Sequence, residues 1–70
     1  MPLSMVKTGE LVTVQRIGGR DETKLHLENL GFVVGAEISV VSEINGDLIV
    51  NVKDSRVAIG KDMANKVTVA

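Results

Sequence analysis

The segment Thr23-Lys24-Leu25-His26-Leu27-Glu28-Asn29-Leu30-Gly31-Phe32-Val33-Val34-Gly35 decides how this chain folds. It reads as a short helix that stops at a glycine and turns at once into a strand. Leu27 and Leu30 stand three apart, so a narrow apolar stripe can face a sheet. Gly31 falls where a helix end favours positive φ, and glycine has no Cβ to clash there. Phe32, just beyond, is placed to pack back onto the last helical turn. Gly35 then opens Ala36-Glu37-Ile38-Ser39-Val40, which alternates like a half-buried strand.

The flanking sequence supplies strands. Glu10–Ile17 is the first, with Val12 and Val14 on one face and Leu11, Thr13 and Gln15 on the other. Arg16-Ile17 breaks that parity, which predicts a bulge or change of face. Gly18-Gly19 ends the strand. Asp21 is the expected N-cap of a helix over Glu22–Leu30, with Glu22 near the positive end of the dipole. Such a helix is too short to hold alone and must be held by packing. Ala36–Glu43 is the second strand, with Ile38 and Val40 inward. Asn45-Gly46 is a hairpin signal, because both residues tolerate positive φ. The third strand, Leu48–Lys53, puts Leu48, Val50 and Val52 on one face and Ile49 on the other. A reversal at Asp54-Ser55 leads into a fourth strand, Arg56–Ile59, broken by Gly60. Lys61–Asn65 reads as one helical turn with Met63 or Ala64 inward, and Val67 and Val69 form a fifth strand. Leu3, Met5 and Val6 are expected to lie across an open end of the core. The fold class is mostly β: a small barrel of about five short strands, with one short α-helix between the first and second.

Seventy residues without repeats or linkers predict one domain spanning residues 1–70, with a small core. There is no cysteine, so neither a disulfide nor a zinc–thiolate site can form. Eight basic residues against nine acidic ones give a net charge of −1, without the basic surplus that phosphate binding needs. Phe32 is the only aromatic, which leaves little from which to build a base-stacking platform. No apolar run approaches the ~20 residues of a membrane span. Met1–Lys7 does not resemble a signal peptide. The expected localisation is cytoplasmic.

Catalytic constellations are missing as well. His26 is the sole histidine, and Glu28, two residues on, points to another side of a helix, so no metal site is assigned. The nine carboxylates are spread over turns and strand exteriors rather than converging as a glycosidase pair or metal cage requires. No serine sits in a nucleophile elbow, and Gly18-Gly19 lacks the lysine of a phosphate loop. The expectation is a protein with no catalytic residues and no cofactor, hence not an enzyme. Leu25, Val33 and Ile49 fall off the predicted core faces and raise the question of a docking patch.

Gly9 before the first strand, Leu27-x-x-Leu30-Gly31-Phe32-x-x-Gly35, Gly46-Asp47, Val57-Ala58-Ile59 and Ala64-x-x-Val67-x-Val69 occur here in one ordered succession. That succession, from about Leu3 to Val69, resembles the FeoA family. The resemblance implies an SH3-like barrel that binds proteins, is associated with transition-metal ion binding, and assists the ferrous-iron transporter FeoB at its cytoplasmic GTP-binding part. The chain departs from the family pattern at Val34, where proline is frequent, and at His26 and Gly60, where arginine is. Exposure and the family's central motif together nominate Leu25, His26 and Val33 as partner-binding residues. Competing expectations are a small RNA-binding barrel and a homo-oligomeric, metal-responsive interaction domain.

Overall fold

The computed structural model describes residues 1–70. Its strands are β1 (Leu11–Ile17), β2 (Glu37–Ile44), β3 (Asp47–Val52), β4 (Ser55–Gly60) and β5 (Val67–Val69). They form one antiparallel sheet in the order β4-β3-β2-β1-β5. Helix α1 (Asp21–Asn29) lies between β1 and β2, a single-turn helix α2 (Lys61–Ala64) joins β4 to β5, and a 3-10 turn spans Leu3–Met5.

Strand β1 curls the sheet into a barrel because it divides its pairing. Leu11–Thr13 pair with β2, whereas Val14, Arg16 and Ile17 pair with β5. No ladder joins β4 to β5; α2 bridges that seam and packs on β3, β4 and the 3-10 turn. The other edge of β5 is met by the first residues. Pro2 bridges Thr68, and the Val69 N–H donates to the Met1 carbonyl at 2.8 Å. Leu3 and Val6 are buried, as expected of a segment closing one end, whereas Met5 is exposed, and the Ser4 hydroxyl donates to the Asn65 side-chain carbonyl beyond α2.

Fifteen apolar side chains form a single buried cluster, and it contains no polar or charged residue. The strand parities are those of the sequence: Val12 and Val14, Ile38 and Val40, and Leu48, Val50 and Val52 point inward. Helix α1 contributes Leu27, fully buried, while Leu30 and Met63 pack at the edge and Ala64 is buried. Ile49 is half-buried between Ser42 and Ala58 rather than freely exposed.

The end of α1 is a complete Schellman motif. The Phe32 N–H donates to the Leu27 carbonyl at 3.0 Å, the Gly31 N–H donates to Glu28 at 2.9 Å, and Gly31 has φ +104°. Phe32 and Leu27 both belong to the buried cluster, which supplies the apolar contact that accompanies such caps.

Local assignments differ at several points. Arg20, not Asp21, is the N-cap: its backbone is extended and its carbonyl accepts from Lys24, so Asp21 is the first helical residue. Aspartate is favoured at both positions, which is why sequence could not separate them. The β3–β4 turn is Lys53-Asp54 rather than Asp54-Ser55, with Lys53 at φ 57° and Val52 paired to Ser55. Gly60 does not break β4; it pairs with Asp47 and caps α2. Strand β2 carries an unanticipated bulge at Val41, between Val40 and Ser42.

Arg20 makes no side-chain cap hydrogen bond, so the first N–H groups of α1 have no side-chain acceptor from the cap residue. Arg20→Asn should supply the missing acceptor and stabilise the fold by about 0.5–1 kcal/mol. A thermal melt should move upward by several degrees; an unchanged or lower midpoint would count against the cap assignment.

Candidate protein-interaction groove

On a regular strand, successive side chains alternate between faces, so three in a row cannot line one depression. β1 departs from this. Its register with β5 shifts between Val14 and Arg16, leaving Gln15 as the extra residue. The bulge re-aims the end of the strand, and Gln15, Arg16 and Ile17 all border one groove of about 430 Å³. Lys24 and Glu28, one helical turn apart on α1, form a second wall. Val33 and Val34 form the third.

The third wall is fixed to the first. The Gly35 N–H donates to the Val14 carbonyl at 2.8 Å, and the Val14 N–H donates to Ala36 at 2.9 Å. Within the turn, the Ala36 N–H reaches the Val33 carbonyl at 3.0 Å. The turn is thereby tied to β1 immediately before the bulge, while the Schellman cap ties it to α1. Val33 and Val34 nonetheless remain exposed, Val34 to 68%.

Arg16, Lys24 and Glu28 form no ion pair with one another; the single ion pair in the chain joins Lys61 Nζ to Glu43 Oε1 at 2.6 Å, outside the groove. Those two side chains are about half exposed, so the pair adds at most about 1 kcal/mol. No three His, Asp or Glu side chains come together in a way that could hold a metal ion. No helix is long and apolar enough to cross a membrane.

Of the residues nominated from sequence, Val33 lines the groove. Leu25 and His26 are exposed but lie outside it. Leu25 is two positions from buried Leu27 and therefore points away from the sheet, and His26 occupies the flank of α1 opposite Lys24. Gln15, Arg16, Lys24, Glu28 and Val34 were not nominated. The parity break at Arg16-Ile17 and the Lys24/Glu28 spacing were the available signals, but only the tertiary fold brings them together.

A family model described as the FeoA domain matches residues 1–70, the whole of the sequence. The chain belongs to the FeoA family. A curated relative from Methanocaldococcus jannaschii, named as a candidate Fe(2+) transport protein A, is 34% identical over 68 residues, 97% of this chain and 83% of that protein. The crystal structure of an iron uptake regulatory protein, FeoA, superposes with a TM-score of 0.93 at 34% identity, covering 100% of this chain and 93% of that one. Stenotrophomonas maltophilia FeoA, solved in complex with zinc and described as a prokaryotic SH3 domain protein, gives a TM-score of 0.88 at 28% identity, over 100% and 89% of the two chains. The FeoA resemblance drawn from the ordered motifs thus stands, and so does the SH3-like barrel. FeoA proteins are ferrous-iron transport components and not a known enzyme family.

Proposed function

We propose that this FeoA protein acts as one non-catalytic interaction module that binds the cytoplasmic GTPase part of a FeoB-type ferrous-iron transporter and modulates its cycle. The observation that carries this reading is the FeoA match over the full 70 residues on an SH3-like barrel. Exposed Leu25 and His26 on α1, with exposed Val33 in the turn that follows, are the partner-facing residues in this reading. Modulation requires the domain to bind two states of the transporter unequally, since equal affinity shifts no equilibrium. The RNA-binding alternative draws no support, because Phe32, the one aromatic, is wholly buried and offers no face to a base.

The test is a backbone-amide NMR titration with full-length FeoB in detergent, with and without nucleotide. Shifts or broadening across residues 24–35 are expected, with different affinities in the two nucleotide conditions. Val33→Asp should weaken binding at least tenfold while leaving the remaining amide spectrum folded. An unchanged spectrum at saturating transporter would refute direct binding.

A further inference from the structure

SH3 domains that read proline-rich peptides do so with grooves lined by aromatic side chains. This barrel has one aromatic, Phe32, and it is 0% exposed. Its groove therefore lacks the stacking surfaces that a polyproline helix needs. It offers instead two cations against one carboxylate, beside an aliphatic wall of Ile17, Val33 and Val34.

Those cations are available. Neither Arg16 nor Lys24 is engaged by an acidic side chain, although the chain as a whole is slightly acidic. Arg16 is exposed and Lys24 half-buried, so both ends of the pair border solvent. The positions are also built rather than incidental. The bulge at Gln15 directs Arg16 to this groove, and the ladder holds it by pairing with Thr68, as it holds Ile17 by pairing with Val67. Arg can meet a carboxylate with two parallel N–H bonds, and Lys with a single point charge. The valines supply an adjoining apolar contact at a turn already tied to β1 and α1, so little ordering cost remains at binding.

We propose that this groove docks an extended acidic segment of a protein partner, with a carboxylate side chain held between Arg16 and Lys24 and a neighbouring aliphatic side chain against Val33 and Val34. This deepens the accessory reading by stating what the partner must present, and rests on it for the identity of that partner. Arg16 and Lys24 are the residues that set specificity; Glu28 disfavours segments carrying two adjacent acids on its side.

Blocked pentapeptides Leu-Glu-Val-Asn-Leu, Leu-Gln-Val-Asn-Leu and Leu-Lys-Val-Asn-Leu are titrated into the full chain and monitored by amide shifts at low and moderate salt. The glutamate peptide is expected to shift Gln15–Ile17, Lys24, Val33 and Val34, and to bind at least tenfold more tightly than the glutamine peptide. The advantage should shrink as salt rises, and the lysine peptide should bind least. The double variant Arg16→Gln/Lys24→Gln should keep its folded spectrum and lose the preference for glutamate. Equal binding of the three peptides, or no binding by any, overturns the proposal. So does acetate alone reproducing the full set of shifts, which would mark a simple anion site. Both forms are also titrated with full-length FeoB. Undiminished transporter binding by the double variant overturns the groove proposal and leaves the accessory reading intact. Peptide binding without transporter binding by the unaltered chain supports the groove and overturns that reading.

Discussion

Phe32→Ala is expected to destabilise the fold by about 3–5 kcal/mol, the usual cost of removing a fully buried aromatic ring. Phe32 is the largest of the wholly buried side chains and is 0% exposed. It is also the apolar half of the Schellman cap, so its loss both leaves a cavity and unseats the end of α1. A domain this small has only about 4–10 kcal/mol to lose. The variant should lose a large share of its stability, whereas Phe32→Leu should cost only about 1–1.5 kcal/mol. The chain has no Trp or Tyr, so far-UV circular dichroism in a urea series is the suitable readout. A Phe32→Ala midpoint close to that of the unaltered protein would show that the ring does not anchor the core.

Gly31→Ala should come second, at about 2–5 kcal/mol, the sum of backbone strain and overpacking. The two contributions are independent. A residue with a Cβ at φ +104° is strained by about 1–2 kcal/mol. The added carbon would also stand 2.7 Å from Val52 Cγ1, whose strand is fully paired on both sides and cannot easily move away. Overpacking of this kind adds about 1–3 kcal/mol. Gly9→Ala separates the two: Gly9 is at φ +88° with nothing within 4 Å, so only the strain applies. Urea midpoints should therefore fall appreciably further for Gly31→Ala than for Gly9→Ala. Adding Val52→Ala to Gly31→Ala should cost less than the sum of the separate effects, because the truncation removes the atom that clashes. Equal costs at the two glycines would mean that β3 yields to the helix end.

The features that could be read from sequence are those fixed by neighbours along the chain. The Gly31 cap, the Asn45-Gly46 turn and the parity of Val12, Ile38 and Val50 each depend on a few adjacent residues. Ambiguity entered where one residue type suits two positions. Asp21 serves equally as a cap or as the first helical residue, and Lys53 fits an outer strand face as readily as it fits the turn it occupies. The bulge at Val41 was hidden because Val40 and Val41 are both β-branched, so either could have been the inward residue. The groove was least legible. Val33 stands out in the sequence by its exposure and its place in the central motif, but Arg16 and Lys24 look like ordinary solvated charges until the fold sets β1 beside α1.

The bulge at Gln15 turns Gln15, Arg16 and Ile17 toward the groove after Val14 has entered the core, and none of the fifteen buried side chains borders that groove. Of the groove residues only Ile17 packs against the core, so the proposed contacts Arg16, Lys24, Val33 and Val34 stand apart from the residues that hold the fold. Exposed Arg16 and Glu28 can be exchanged at the few tenths of a kcal/mol that surface changes usually cost, half-buried Lys24 at somewhat more. A barrel of this size, with little stability to spare, can thus track a changing partner without repacking its interior.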